Sequence, residues 1–380
     1  MIRTLVLLMV VAFGLGCEAL DIRPRAVGKE GEIVVVTDSA SWNGELGDAL
    51  RTELAPYIGT LPAPERMFEL RRLGLVSQRS IDLVKKQKNV IFAAPISDTL
   101  SLESRYMRST LASDALEAVE EGTVAVVGRT DEWAQGQQVY YVIGPDVETI
   151  AGAVRANSDG MLHAFNTMTR LRMQRSMFEK GRQFEVEERL MNDHAFAVNA
   201  QHDYVVAMDT TNFVWMRRIV SSDSWRSFFV WYTDDLSPAD LNPEWALAVR
   251  DRLTQAYVQG NLGGYVTVDD RRPLESQNID FLGRFGYEVR GLWHMVGPDD
   301  SGRIVQYGMG GPFVLYAFYD EVSGRTYVMD GMVFAPGFSK REFLRQMEVI
   351  AYTFRTENDL NAPASELEPL PAPAAEAPVP

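Results

Sequence analysis

The sequence predicts an α/β (α+β) protein made of two related strand-helix units, the second a mostly antiparallel sheet covered by helices. First, apolar β-branched runs alternate with segments of helical apolar spacing along the chain. Second, the runs 33–36 and 228–232 are each followed by Thr-Asp and then by a segment, 45–54 or 244–253, in which Glu, Ala, Arg and Leu recur at the same spacing. Third, short turns separate the later apolar runs, which is typical of antiparallel strands.

The first unit, residues 31–190, is predicted to begin as strand, turn and helix. Residues 33–36 form a β-branched run, and Leu46, Leu50 and Leu54 then recur on one face of a helix. Pro145 separates the last strand from the long helix that closes the unit. The other predicted extended segments are 67–70, 89–94, 123–127 and 139–143, and the closing helical stretch is 147–190, with a break expected near Gly160.

The second unit, residues 191–356, is predicted to repeat this order. Its last strand again leads through a proline, Pro336, into a closing helix. The similarity between the two units has two explanations. They are related to each other, or unrelated strand-loop-helix units have converged on the same pattern. The predicted elements are strands at 228–232, 265–268, 287–295, 313–319 and 326–334 and helices at 244–253 and 340–354. In outline this unit is similar to the small α/β sandwiches of the PsbP and Mog1 type, an analogy of fold that carries no function.

The amino terminus has the pattern of a bacterial lipoprotein signal. Arg3 precedes the apolar run 5–13, and Cys17, the only cysteine among 380 residues, follows Gly16. The run is shorter than the roughly 20 residues that a spanning helix needs. We therefore expect residues 1–16 to be a cleaved signal peptide and Cys17 to carry acyl chains such as palmitate. The alternative is an ordinary signal peptide that is cut elsewhere.

Two terminal segments lack the pattern of a folded core. Residues 17–30 have little apolar periodicity and are expected to be a tether between the lipid and the first unit. Residues 357–380 are rich in Pro, Ala and Glu, and we expect them to be a disordered tail. Because Glu18 and not Asp follows the cysteine, the expected location is the outer membrane, with the protein facing the periplasm or the exterior.

Composition excludes several classes of partner and site. The net charge of -15 disfavours nucleic acid, because the phosphates would be repelled. A single cysteine rules out an internal disulfide framework. None of the four histidines is spaced three or four residues from another, and no phosphate loop, zinc helix or nucleophile elbow is present. The sequence thus predicts neither a metal nor a cofactor, and it identifies no catalytic residue.

The best functional candidate lies where the first strand ends and the first helix begins. Asp38, Ser39, Ser41 and Trp42 occupy this turn. Loops at the ends of buried strands are where α/β folds place ligands, and a helix amino end favours an anion. The structural interpretation, which we favour, is that Asp38 or Ser41 satisfies backbone groups of the turn and Trp42 packs over the helix.

A second set of candidates lies in the second unit. Residues 290–294 alternate as a strand does, so that Arg290 and His294 share one face and Trp293 the other. Arg290 is predicted to pair with Glu288 or Asp320, more readily as a structural ion pair than as part of a polar pocket. Gly310 and Gly311 belong to a glycine cluster that favours a turn or bulge over a ligand loop.

Several motifs of the second unit resemble an uncharacterised family of bacterial envelope lipoproteins, the domain of unknown function 4837. They are Gly-Leu-Trp at 291–293, Met-Gly-Gly-Pro-Phe-Val at 309–314, Gly-Met-Val-Phe-Ala-Pro at 331–336 and the helix at 340–348. The start of the first unit is similar too, at 31–36 and in Trp42-x-Gly44. The resemblance implies a lipoprotein and supplies no catalytic residues, because the family has no assigned activity.

These observations leave three functional hypotheses. The leading one is a lipid-anchored envelope protein that acts as a non-catalytic binding or assembly factor, with the membrane and envelope proteins as its partners. The second is a hydrolase or transferase of cell-wall glycan or peptide, which would need Asp38 and a second carboxylate such as Glu288 in one cleft. The third is a lipoprotein that binds a small ligand between the two units, near Trp42 and residues 308–312.

Overall fold

The computed structural model describes residues 22–221, 224–260 and 263–361. Cys17, the predicted signal peptide and residues 362–380 of the predicted tail lie outside the described residues. The described part of the chain forms a five-stranded sheet, an eight-stranded sheet and a small two-stranded sheet. Within these ranges no helix combines the length and the apolar character that a membrane-spanning helix needs.

The first unit is built on the five-stranded sheet, called here the first sheet. Its strands are β1 (Glu32–Val36), β2 (Glu69–Leu73), β3 (Asn89–Pro95), β4 (Ala125–Thr130) and β5 (Gln138–Gly144). Its helices are α1 (Ser39–Asn43), α2 (Glu45–Leu54), α3 (Gln78–Val84), α4 (Leu102–Thr110), α5 (Ser113–Glu120) and α6 (Val147–Glu179). The strand order is β2-β1-β3-β5-β4. All neighbours are parallel except β4, which runs antiparallel to β5.

Helices cover both faces of the first sheet, which explains why β1 and β3 are apolar on both sides. Alternate residues of β1 point to opposite faces, so that Val35 packs beneath α2 and α6 while Val36 packs beneath α3, α4 and α5. Leu46, Leu50 and Leu54, the residues whose spacing predicts α2, are all buried. The sequence pattern therefore encodes a three-layer unit.

The second unit is built on the eight-stranded sheet, called here the second sheet. Its strands are β7 (Val205–Asp209), β8 (Phe213–Ser221), β9 (Ser224–Thr233), β10 (Tyr265–Val268), β11 (Glu275–Asp280), β12 (Phe285–Pro298), β13 (Ile304–Asp320) and β14 (Arg325–Phe334). The order is β10-β12-β13-β14-β9-β8-β7, with β11 also paired to β12. The small sheet pairs β6 (Phe196–Ala197) with β15 (Arg355–Thr356), and the helices are α7 (Phe184–His194), α8 (Pro243–Tyr257), α9 (Arg341–Ala351) and α10 (Glu357–Asn361).

Every pairing in the second sheet is antiparallel, and helices lie on both of its faces. Helix α8 packs on one face through Ala246, Val249 and Leu253. Helix α9 packs on the other face through residues that include Leu344 and Met347. The predicted α/β fold with a large antiparallel sheet covered by helices is confirmed.

The long helix of the first unit differs from its prediction. It runs unbroken through Gly160 for 33 residues, and the chain turns only after Glu179. Gly181, with a φ of +132°, allows this turn before α7 begins. Gly160 has no atom within 4 Å of an added Cβ and lies on an open face, where a glycine leaves the helix intact. The predicted break at Gly160 is therefore wrong.

The two units share the local order of strand, loop and helix but not their sheet topology. The first sheet is mainly parallel, whereas the second is antiparallel throughout. The echoing segments do form equivalent elements, since Glu45–Leu54 is α2 and residues 244–253 lie within α8. The predicted relationship between the units is thus limited to these local elements.

The units are joined by a shared core. The first part of α6, including Val154 and Phe165, packs in the first unit, while Met173 and Met177 near its end pack in the core of the second. Leu61, from the loop between α2 and β2, joins the second core as well. Side chains of the first unit thus complete the core of the second.

Candidate functional site

The turn that follows β1 is held together by its own side chains. Asp38 Oδ1 accepts hydrogen bonds from the backbone N–H groups of Ala40 at 2.8 Å and Ser41 at 2.9 Å, and the Ser41 hydroxyl donates to Oδ2 at 2.5 Å. Burial by itself raises the pKa of Asp38, but these hydrogen bonds outweigh it and hold the pKa below its usual value. Asp38 is therefore the ionised cap of α1.

The neighbours of Asp38 also serve the turn. Ser39 is exposed, and its hydroxyl accepts a hydrogen bond from Asn43 Nδ2 at 3.4 Å. Trp42 packs against the core of the first unit, and the guanidinium of Arg51 lies 4.9 Å from its ring centroid. These contacts agree with the structural interpretation of the segment 38–44.

Arg290 forms ion pairs that join β12 to α9. Its Nε and Nη2 atoms donate to the Glu288 carboxylate at 2.7 and 3.0 Å, and Nη1 lies 2.8 Å from Glu348 Oε1. Burial acts to raise the pKa of Glu288, but the charge and hydrogen bonds of Arg290, with smaller contributions from Tyr316 and Gln277, lower it. Glu288 is thus a buried carboxylate that is fully engaged by its partners. Asp320 pairs instead with Arg284, at 2.7 Å.

Trp293 and His294 point to opposite faces of β12. Trp293 is buried and stacks on Trp225, with ring centroids 5.2 Å apart. His294 Nδ1 lies 3.5 Å from Asp269 Oδ2 and 3.4 Å from Arg271 Nη2. His294 and Arg290 share a face as predicted, but each has different partners.

Gly310 and Gly311 lie inside β13 and not in a loop. An added Cβ at Gly311 would come 1.9 Å from the carbonyl oxygen of Val333, and one at Gly310 would come 2.7 Å from that of Trp293. The register between β12 and β13 also shifts between His294 and Val296, a β-bulge or irregularity. These glycines allow strands to pack closely beside this irregularity, and residues 308–312 lie in a strand.

The structure does not bring the predicted site residues together. Asp38 follows β1 of the first sheet, whereas Arg290, Trp293 and His294 lie on β12 of the second. Within the described part of the chain, no hydrogen bond or ion pair joins Asp38 to Glu288. In those same residues no group of three His, Cys, Asp or Glu side chains is placed to hold a metal ion.

A cleft between the two units provides a different candidate, at a place that the sequence did not indicate. It encloses about 410 Å³, within the range of small-ligand pockets. Three distant segments meet there: the turn before β1, the last turns of α6 and the first turns of α9. The lining residues are Lys29, Glu30, Gly31, Met173, Ser176, Met177, Arg341, Glu342 and Gln346. Neither Trp42 nor residues 308–312, near which a pocket between the units was predicted, line this cleft.

Both carboxylates of the cleft are already paired with cations. Glu30 accepts from Lys88 Nζ and, at 2.8 Å, from Arg172 Nε. Glu342 Oε1 accepts from Arg341 Nε at 2.9 Å and from Arg345 Nη1 at 3.2 Å. Lys29 is exposed and, within the described residues, its ammonium has no hydrogen bond or ion pair. Both carboxylates that line the cleft are thus engaged by cations, which leaves no free pair of carboxylates there for acid-base chemistry.

Two family models match separate parts of the chain. The model of a domain of unknown function, DUF4837, matches residues 183–353. The chain contains a DUF4837 domain. A second model, another domain of unknown function named DUF8532, matches residues 26–178. The motifs at 31–36 and 42–44 that resemble DUF4837 fall within this second match.

Other comparisons show only remote likeness. No curated protein matches the sequence at a significant level. The solved structure of the Ran-binding protein Mog1p of Saccharomyces cerevisiae covers 43% of this chain and 90% of its own length, with 11% identity and a TM-score of 0.29. A mutant of Mog1 gives 12% identity over the same shares of the two chains, 43% and 90%, and a TM-score of 0.26. At these scores the likeness supports no functional argument.

Proposed function

We propose that this protein is a lipid-anchored envelope lipoprotein that binds a partner and catalyses no reaction. In this proposal Cys17 carries the lipid, the outer membrane is the location, and the residues directly after Cys17 space the first unit from the membrane. The predicted tether at 17–30 is shorter than expected, because Ala26 and Val27 already form backbone hydrogen bonds with Gln135 and Lys86 of the first unit. The support for the anchor is the apolar run 5–13 directly before the only cysteine of the chain.

The observation that carries the binding role is the cleft between the units. Its walls come from both units, and these are fixed to each other by the shared core and by hydrogen bonds from α9 to the first unit. A preformed concave site between two rigid bodies loses little ordering entropy when a ligand binds. The cleft is therefore the best placed site for a partner or ligand.

The hydrolase hypothesis has less support. Its two carboxylates would have to lie about 5 to 10 Å apart with access to a substrate. Asp38 instead caps α1, and Glu288 is enclosed by Arg290 and Gln277 on another sheet. Hydrogen bonds lower the pKa of Asp38, and the charge and hydrogen bonds of Arg290 lower that of Glu288, whereas a general acid needs a raised pKa.

Two measurements test the proposal. The intact mass of protein from native membranes should correspond to a chain that starts at Cys17 and carries acyl groups, and the Cys17→Ser variant should lack the added mass and leave the membrane fraction. An unmodified mature chain that is cut elsewhere would refute the anchor.

For the binding role, a photo-crosslinking residue at Ser176, in the cleft, should capture a defined envelope component in cells. The same residue at Asp159, which is exposed on the same helix away from the cleft, is the matched control. Equal capture at both positions, or none at Ser176, would refute binding in the cleft.

A further inference from the structure

The lysines of this chain are concentrated in one part of the first unit, beside the segment that leads to Cys17. We infer that this part is a basic surface that docks on anionic lipid headgroups of the membrane to which the protein is anchored. This inference rests on the proposed lipid anchor and deepens it, because it names the lipid chemistry and the side of the molecule that faces the bilayer. Three observations carry it: where the chain enters the fold, where the lysines lie, and how the neighbouring carboxylates are engaged.

The chain enters the first unit at the amino ends of its parallel strands. Residues 24–27 lie between the turn that joins β4 to β5 and the loop that joins α3 to β3. Their backbone forms hydrogen bonds with Gln135 on one side and with Lys86 and Lys88 on the other. We call this part of the first unit, with the end of α6, the entry edge. The carboxyl ends of the same strands form the opposite edge.

The entry edge is close in sequence to the proposed anchor. Cys17 and Ile22 are five positions apart, so the chain between them spans at most about 18 Å. An anchored molecule therefore keeps the entry edge near the bilayer. Asp38, which follows the carboxyl end of β1, would then lie on the side away from the membrane.

Five of the six lysines of the chain lie at the entry edge. One is in the turn before β1, three are in the loop before β3, and one directly follows α6, where Glu179 pairs with Arg25 at 3.2 Å. They are Lys29, Lys85, Lys86, Lys88 and Lys180. Lys29, Lys86 and Lys180 are exposed, and within the described ranges their ammonium groups have no hydrogen bond or ion pair. The edge thus presents three positive charges that the described fold does not use.

The nearest carboxylates are already paired with other cations. Glu30 accepts hydrogen bonds from Lys88 and Arg172, and Glu179 is paired with Arg25. Because these carboxylates are engaged, they do not cancel the charges of the three exposed lysines.

Three further carboxylates lie on neighbouring segments. Asp131 accepts hydrogen bonds from two backbone N–H groups of its own turn, and Glu132 accepts one from the Tyr141 hydroxyl at 3.1 Å. Asp82, on α3, accepts a hydrogen bond from the amide of Gln78 at 3.0 Å. Each is engaged within the first unit, so the exposed lysines remain available to an anionic surface.

The net charge of -15 does not prevent contact at this edge. At about 0.1 M salt the Debye length is about 10 Å, so only charges close to the lipid interact strongly with it. Helix α6 alone is about 50 Å long, which places much of the remaining surface several Debye lengths away. Each basic residue near an anionic membrane strengthens association about fivefold. The acidic remainder of the surface is repelled, and this difference turns the entry edge toward the bilayer.

The test uses the full mature chain with the substitution Cys17→Ser, so that no acyl group contributes to binding. Co-sedimentation is measured with vesicles of equal parts phosphatidylglycerol and phosphatidylcholine and with vesicles of phosphatidylcholine alone, at about 0.1 M salt. We expect binding to the anionic vesicles to be at least about tenfold stronger and to weaken as salt is raised.

Two double variants locate the contact. Lys86→Glu/Lys180→Glu should weaken binding to the anionic vesicles at least about tenfold, because two attractions become repulsions. Arg79→Glu/Arg105→Glu is the matched control and should bind as the unsubstituted surface does. Both arginines are exposed near the starts of α3 and α4, toward the opposite edge, and the change in net charge is the same. Lys29 is left unchanged because it also lines the cleft.

Several outcomes would overturn the inference. Equal binding to the two kinds of vesicle, or an equal effect of the two double variants, would do so. Inorganic phosphate provides another arm: if it releases the protein and sodium chloride of the same ionic strength does not, the edge binds a discrete phosphate and not a lipid surface.

The anchor and the basic surface can fail separately. If native protein carries acyl groups at Cys17 but the two double variants bind alike, the anchor stands and only this inference fails. If native protein is not acylated but the double variants differ as expected, the anchor is refuted and the contact with anionic lipid stands.

Discussion

Glu65 and Arg341 are 276 positions apart, yet Glu65 Oε2 accepts a 3.0 Å hydrogen bond from the backbone N–H of Arg341. Its Oε1 accepts another, at 2.7 Å, from the N–H of Lys340. Helix α9 begins here and has no capping side chain of its own. A loop of the first unit therefore supplies the cap for a helix of the second, and its negative charge lies at the positive end of that helix.

Removal of this cap should destabilise the fold. We expect Glu65→Ala to lower the free energy of unfolding by about 1–2 kcal/mol, the usual cost of losing a cap. Glu69→Ala is the control, because Glu69 is 61% exposed and its closest Arg341 contact is 3.8 Å. Urea denaturation measures both variants. A loss for Glu65→Ala no larger than that for Glu69→Ala would contradict the capping role.

The glycines of β13 should differ sharply in their tolerance of a methyl group. At Gly311 the added Cβ would clash with the Val333 carbonyl oxygen, whereas at Gly308 it would meet nothing within 4 Å. We expect Gly311→Ala to destabilise the protein by about 1–3 kcal/mol, as overpacking usually does. Gly308→Ala should change stability by less than about 0.5 kcal/mol. Thermal unfolding of the two variants checks this, and equal midpoints would show that the strands can separate to admit the methyl group.

Arg250 and Asp330 form a fully buried ion pair beneath α8. Arg250 Nε donates to Asp330 Oδ2 at 2.7 Å, both side chains are 0% exposed, and the guanidinium stacks 4.0 Å from the Phe313 ring. Burial raises the pKa of Asp330 despite the nearby guanidinium. Because Arg250→Met leaves that carboxylate unpaired, it should cost about 3–5 kcal/mol.

The double variant Arg250→Met/Asp330→Leu distinguishes the cost of an unpaired charge from the cost of lost packing against Phe313. It removes both charges, so it should be much more stable than Arg250→Met alone. Chemical denaturation of the single and double variants gives the comparison. If the second substitution restores nothing, the loss in Arg250→Met comes from packing against Phe313 and not from the unpaired charge.

Asp269 should contribute to the acid sensitivity of the second unit. Hydrogen bonds from Arg271, and to a lesser degree from His294, lower the pKa of Asp269 to about 2. A carboxyl whose pKa is lower in the folded state stabilises the fold above its unfolded pKa, about 3.9, and loses that contribution as the pH falls through the folded pKa. Wild-type stability should therefore exceed that of Asp269→Asn at pH 6, and the difference should disappear between about pH 4 and pH 2. A difference that is constant over this range would exclude the ion pair as its source.

The sequence predicts those elements best that carry a strong apolar pattern. Strands β1, β3, β5, β9, β12, β13 and β14 and helices α2, α8 and α9 agree with the predicted segments, because their buried faces repeat with the period of the element. Strand β11 was missed because its sequence, ESQNID, is polar and mostly exposed. It is held by pairing with β12, which no local pattern reveals.

The candidate site was harder to predict for a related reason. The role of Asp38 could be predicted from the local sequence, because a capping Asp needs only the backbone N–H groups of the residues two and three positions after it. The cleft instead depends on how α6 and α9 cross, and Lys29, Met177 and Gln346 have no feature in sequence that connects them. The i, i+4 spacing of Met173 and Met177 indicates an apolar helix face, but it does not identify the element against which that face packs.

The arrangement of α6 affects how the molecule can be divided. At about 1.5 Å per residue the helix is about 50 Å long, and it crosses from one core into the other. A fragment cut at the junction between the two family matches would expose Met173 and Met177 on one piece and an unfilled hollow on the other. The two family models therefore divide the sequence near residue 180, whereas the shared core couples the two parts, and we expect neither part to fold alone as stably as it does in the whole chain.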